Sequence, residues 1–273
     1  MEPLVGIVIR IRRNSSGSPR RWGWALALLG AVVNAAPAHV PDAPRFGEAA
    51  SASPTLAAEG TENWAGYVTA TGPIIALANQ VDGVHGHWTV PIVDCTGVPD
   101  TVLGVWVGID GLLSPTVEQV GTATECRQGL ATSYAWTEIY PGPPLTIAQP
   151  LCPGDVIDAA VTYIGGAQFD LSVNDTSAGW RFSERRQAVG RRDSAEWIVE
   201  APVINGKLTA LANFGTVAFS DAGATIAGQD RRLGGTGQWT SSLHMVAPSG
   251  RGRAVATAPD DSGTRFSVLW QGQ

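Results

Sequence analysis

The chain has 273 residues, of which 15% are charged, with 33 glycines, 18 prolines and a formal net charge of -6 at pH 7. This length fits one large domain or two small ones, and the acidic balance excludes a nucleic-acid surface, which would need a basic face. Low charge, abundant glycine and proline, and short apolar runs exclude a mainly helical fold.

At the N-terminus, Arg10, Arg12, Arg13, Arg20 and Arg21 precede an apolar run from Trp22 to Val33 that ends in Asn34-Ala35-Ala36-Pro37-Ala38. A basic region, a short apolar stretch and small residues before a cut describe a secretory signal peptide over residues 1–38. The run is short for a membrane span. The product is therefore expected to be secreted, with no stable membrane association once the signal is removed. Residues 39–62 are rich in Ala, Pro, Ser and Glu, lack periodicity and read as a linker or pro-segment. The folded domain is expected over residues 63–273.

From Asn63 onward, short strand-like runs alternate with Gly, Asn, Asp, Ser and Pro. His85 and His87 share a strand face next to Trp88-Thr89-Val90-Pro91. With no third ligand near them in sequence, no metal site is expected. Val105 to Asp110, Val117 to Gly121 and Tyr134 to Tyr140 follow as strands. Val156 to Tyr163 and Gln168 to Asp175 form a hairpin through Ile164-Gly165-Gly166. Glu196 to Glu200 is a further strand, closed by Pro202. Leu208 to Phe214 is expected to hold a turn of helix, and Arg265 to Trp270 is a last strand. Many short antiparallel strands predict an all-β fold, one β-sandwich with a concave face.

Side chains alternate faces along a strand. Trp106 and Asp110 therefore share one face and Val105, Val107 and Ile109 the other, while Trp136, Glu138 and Tyr140 line up together. Aromatics beside carboxylates on the face opposite the aliphatics suit a binding cleft. Glu118 and Gln119 must point to opposite faces, and spacing alone does not say which enters the cleft. Glu200 ends a very apolar strand, a costly place for a carboxylate unless it is paired, protonated or used. Of three cysteines, Cys95 and Cys126 flank the Trp106 and Gln119 strands and are expected to form a disulfide. Cys152 is expected to be a buried small hydrophobe. The chain has no Gly-x-Ser-x-Gly, His-Glu-x-x-His, phosphate loop or dinucleotide fingerprint, so carboxylates remain the candidate chemistry and no cofactor is expected.

The segments Asn63-Trp64-Ala65-Gly66-Tyr67, Trp106-Val107-Gly108-Ile109-Asp110-Gly111, Val117-Glu118-Gln119-Val120-Gly121-Thr122, Tyr134-Ala135-Trp136-Thr137-Glu138-Ile139-Tyr140 and Ser194-Ala195-Glu196-Trp197-Ile198-Val199-Glu200, in that order, resemble the glutamic peptidases, or eqolisins. The resemblance implies a β-sandwich of two curved antiparallel sheets with a concanavalin-like, jelly-roll architecture, and catalysis by a dyad of Gln119 and Glu200, with Trp106, Asp110, Trp136 and Glu138 lining the cleft; alternation adds Tyr140 to the face of Trp136 and Glu138. It implies a monomeric, acid-active endopeptidase acting on peptide or protein substrates, and it turns Gln119 rather than Glu118 into the cleft. Trp-lined sheets with paired carboxylates also suit a glycoside hydrolase, and a non-catalytic extracellular binding module on the same fold is a third reading.

Overall fold

The computed structural model describes Phe46 and residues 59–70, 78–98, 100–112, 114–235 and 238–273. The expected signal peptide over 1–38 lies outside the described residues. No helix among them is long and apolar enough to cross a membrane.

Two layers follow from the strand pairings. The first runs, in spatial order, Glu59–Thr61, Trp239–Val246, Trp64–Ala70, Ser194–Glu200, Thr101–Ile109, Val117–Arg127, Leu130–Tyr140 and Leu145–Thr146. The second runs Trp180–Gln187, Gln168–Asp175, Val156–Gly165, Val81–Thr89, Thr216–Ile226, Phe266–Trp270 and Gly252–Ala256. Trp239–Val246 joins them: its first half pairs with Trp64–Ala70 and its end pairs with Gly252–Ala256. Pairing is antiparallel except for Glu59–Thr61 on Leu243–Met245 and Ala210–Leu211 on Thr101–Val102. The expected hairpin forms, with Gly165 and Gly166 at φ 93° and 60°, angles that a residue with a Cβ adopts only at a cost.

Alternation divides each central strand between two apolar cores. Val105, Val107, Ile109, Val120, Trp197 and Val199 face inward onto Val84, Trp88, Ile157, Val161, Leu171 and Phe219 of the second layer. Each such side chain contributes about 1.5–3 kcal/mol by leaving water. The outer face of the first layer carries a separate cluster of Trp64, Val68, Trp106, Trp136 and Ile198. One sheet thus serves two purposes, with its aliphatics holding the sandwich and its aromatics packing together on the outer face.

Within residues 39–62, Glu59–Thr61 is a strand and Phe46 is fully buried. Two expectations are corrected. Leu208 to Phe214 holds no helix; Lys207–Leu208 and Ala210–Leu211 are two-residue strands that hydrogen-bond to neighbouring segments. Cys152 is exposed and free, because it sits in a turn whose backbone N–H donates to Asp155 Oδ2 at 2.7 Å. Cys95 and Cys126 form the expected disulfide, with Cα atoms 5.4 Å apart.

Candidate active site

The candidate site is assembled on four adjacent strands, Ser194–Glu200, Thr101–Ile109, Val117–Arg127 and Leu130–Tyr140. Thr101–Ile109 lies in the middle, with Gly108 opposite Gln119 on one side and Gly104 opposite Glu200 on the other. Gln119 in turn sits opposite Glu138, and Gly121 opposite Trp136. Alternation therefore puts Trp106, Gln119, Trp136, Glu138 and Glu200 on one face, and all five are 0% exposed.

Trp106 connects the two candidate dyad residues. Its Nε1–H donates to Glu200 Oε2 at 2.7 Å. At the other end of the indole, Cζ3 lies 3.0 Å from where a Cβ on Gly108 would stand, and the Gln119 Cβ is 3.2 Å from the same point. Trp64 packs edge-on against Trp106 with ring centroids 5.2 Å apart, fixing that indole. Asn63 Nδ2 donates to Glu200 Oε1 at 3.4 Å. Both carboxylate oxygens of Glu200 thus accept hydrogen bonds, which offsets part of the cost of its burial. Gln119 Nε2 donates to Glu138 Oε2 at 3.3 Å, which orients the amide. Gln119 Oε1 has no hydrogen-bond partner among the described residues.

Not every expected cleft residue joins this group. Tyr140 is half-buried at the rim, opposite Val117 and against the outer-face aromatics. Asp110 turns away from Trp106. The strand ends at Ile109 and Asp110 takes φ 71°, so alternation no longer governs its side chain. Its carboxylate accepts backbone N–H groups from Arg192 and Asp193, both at 2.9 Å.

There Asp110 joins a second buried acidic group with Glu118, Asp193 and Glu196. Asp110 Oδ2 and Glu118 Oε2 both converge on Gly190, where a Cβ would come within 2.7 Å of each. Burial raises the Asp110 carboxyl to about 6, opposed by its two backbone hydrogen bonds. Burial, reinforced by the neighbouring Asp110 charge, raises Glu118 to about 9. Glu196 is also raised, chiefly by burial. Arg191 pairs with Asp193 at 2.6 Å, whereas neither oxygen of Glu118 or of Glu196 has a hydrogen-bond partner among the described residues. With its carboxyl raised to about 9, Glu118 keeps its proton at neutral pH and is unsuited to the role of a base.

His87 lies at the surface, 3.4 Å from Asp158 and 3.8 Å from Asp221. Among the described residues no group of three His, Cys, Asp or Glu could hold a metal. Sequence reasoning missed Phe46, which stacks on Trp136, and gave Asn63 no role. Asn63 carried a signal, since it opens the first of the segments that resemble the glutamic peptidases, whereas Phe46 carried none.

The family model described as the Peptidase A4 family matches residues 62–263. Aspergillopepsin-2 from Aspergillus niger is 28% identical over 198 residues, a match that covers 62% of this chain and 66% of that relative. Among solved structures, scytalido-glutamic peptidase bound to a transition state analog inhibitor superposes with a TM-score of 0.65 at 22% identity, covering 77% of this chain and 98% of that one. Aspergilloglutamic peptidase from Aspergillus niger gives a TM-score of 0.55 at 24% identity, over 63% of this chain and 99% of that one. These likenesses establish the shared β-sandwich. With the family match running across nearly all of the described fold, this chain belongs to the peptidase A4 family, the glutamic peptidases or eqolisins, hydrolases that cut peptide bonds.

Proposed function

We propose that the chain is a secreted, acid-active endopeptidase in which Glu200 and Gln119 carry out a direct attack of water on the scissile carbonyl. The observation that carries this reading is the single aromatic and amide-lined face on which Trp106 ties Glu200 to the neighbourhood of Gln119. Glu200 acts as general base and takes a proton from water as the oxygen attacks the carbonyl carbon. The Gln119 amide has two N–H groups. One is held by Glu138, and the other is free to donate to the oxygen that gains negative charge. The Gln119 Oε1 can accept a hydrogen from the attacking water. As the C–N bond breaks, Glu200 returns its proton to the leaving nitrogen, and two products leave with no covalent enzyme intermediate.

A fold that withstands acid is supported by Glu118, whose buried carboxyl is raised to about 9 and so stays protonated at no cost as the pH falls. Secretion is supported by the disulfide, a bond that persists in oxidising compartments. The relatives' structures include one with a peptide-based transition state analog and one with the tripeptide Ala-Ile-His, which supports peptides as the substrate class here.

The test is cleavage of a denatured protein between about pH 3 and 7, with pepstatin present, by the acid-incubated protein and its Glu200→Gln variant. Pepstatin-resistant cleavage that disappears in a folded Glu200→Gln variant is expected. Retained cleavage in that variant would remove Glu200 as the base.

A further inference from the structure

Of the two donors on the Glu200 carboxylate, Trp106 stands on its face by alternation, and Asn63 does not. Trp64 is the cross-strand partner of Glu200 and shares its face. A strand continued back by one residue would therefore turn Asn63 away. The chain bends instead at Glu62 and Asn63, and the bend swings the amide back to the carboxylate. Thr61 Oγ1 accepts the Trp64 N–H at 2.8 Å and donates to the Trp64 carbonyl at 2.6 Å. Arg253 Nη1 donates to the Glu62 carbonyl at 2.9 Å. The Asn63 carbonyl accepts the N–H of Ala201, the residue after Glu200, at 2.9 Å. Asn63 thus holds the end of the Glu200 strand with its main chain and the carboxylate with its side chain, and it is 0% exposed. Trp64 beside it packs on Trp106, so one short segment supports both donors.

A buried amide that donates to a carboxylate fixes its orientation and favours its charged form. Trp64 and Gly104, which flank Glu200 in the sheet, do not ionise. The charged groups on the elements around it are Glu138, which holds Gln119, and Glu62 with Arg253 at the bend. The bend itself is closed by Thr61, Arg253 and main-chain groups, which survive a change of side chain at position 63. We propose that Asn63 is a positioning residue of the peptidase, one that orients the Glu200 carboxylate and sets the lowest pH at which it takes a proton from water. The part in catalysis rests on the peptidase reading above; the hold on Glu200 ionisation does not.

The test compares the acid-incubated full chain with its Asn63→Leu and Asn63→Ala variants. Both remove the donor; the first keeps the side-chain volume, and the second keeps the test open if the first does not fold. The acid limb of kcat/KM should move upward by about half to one pH unit in each. Well below the limb, cleavage should then fall about three- to tenfold, and the difference should close as the pH rises. Ionisation of Glu200 is also read without substrate, from the NMR resonance of the Trp106 indole N–H that donates to it, assigned by its loss in Trp106→Phe. The midpoint of that titration should move upward with the limb. A rate lowered equally at every pH, with limb and midpoint unmoved, would make Asn63 a merely structural residue and overturn the proposal. So would a limb that moves while the indole midpoint stays. A raised midpoint in chains of which none cleaves peptide, the unsubstituted one included, would uphold the hold on Glu200 and refute the peptidase reading instead.

Discussion

Glu118 makes this fold weaken as the pH rises, by an amount that the structure allows to be worked out. Its carboxyl is raised from 4.5 to about 9 by burial and by Asp110 beside it. In the unfolded chain the same group releases its proton near its ordinary value. Between those two values the folded state holds a proton that the unfolded state has lost, so unfolding gains about 1.4 kcal/mol for each pH unit. The stabilisation is complete below pH 4.5 and about 3 kcal/mol of it is gone by pH 7. Asp110, raised from 3.8 to about 6, loses a further share of about 3 kcal/mol over the lower part of the same range. Because the Asp110 charge is one cause of the Glu118 shift, the two losses are not independent and together come to less than their sum. Against a typical total of about 5–15 kcal/mol that loss is large. Thermal unfolding followed by tryptophan fluorescence at pH 4 and pH 7 should show a midpoint roughly 6–12 °C lower at pH 7. Glu118→Gln cannot ionise and should remove about half of that difference or more. Equal midpoints at the two pH values, or an unchanged difference in Glu118→Gln, would refute the reasoning.

Other perturbations act on the dyad and its frame. Gln119→Ala should lower kcat by about 10²–10³ while the acid limb of the pH–rate profile stays in place, since an amide does not titrate; a displaced limb would show that Gln119 acts through Glu200. Trp106→Phe keeps the ring but removes the 2.7 Å donation to Glu200. A hydrogen bond to a charged group contributes about 1.5–3 kcal/mol, so the acid limb should move upward by about one pH unit or more, and a stationary limb would discount this bond. Cys95 and Cys126 are 31 residues apart in sequence, so Cys126→Ser should cost about 3–4 kcal/mol of stability by releasing that loop in the unfolded state, measured as a shift of the urea midpoint.

Period-2 alternation explains what the sequence revealed and where it stopped. It lined up Trp136, Glu138 and Tyr140 along one strand but left open whether Glu118 or Gln119 joins them; only the register puts Gln119 opposite Glu138 and Glu200 opposite Gly104, two residues from Trp106. Asp110 lies one residue past a strand end with a left-handed backbone, so the same rule pointed it into the cleft, whereas it binds the backbone of Arg192 and Asp193. The Asp-Gly pair at 110–111 was the available warning, since these residues favour turns. The acidic group behind it was half visible: Glu118 and Glu196 stand out in apolar strands, but only the fold brings Asp193 and Asp110 to them. Phe46 was invisible to any periodic argument, because a single aromatic among Ala, Pro and Glu carries no period. The pairing of Glu59–Thr61 with Leu243–Met245 crosses almost the whole chain, and neither segment shows it alone.

A strand shared by both layers bears on how the fold comes apart. Trp239–Val246 pairs with Trp64–Ala70 in the first layer and with Gly252–Ala256 in the second, so neither sheet can release it without freeing an edge of the other. The two layers are therefore expected to unfold in one cooperative step, with the same midpoint by every probe.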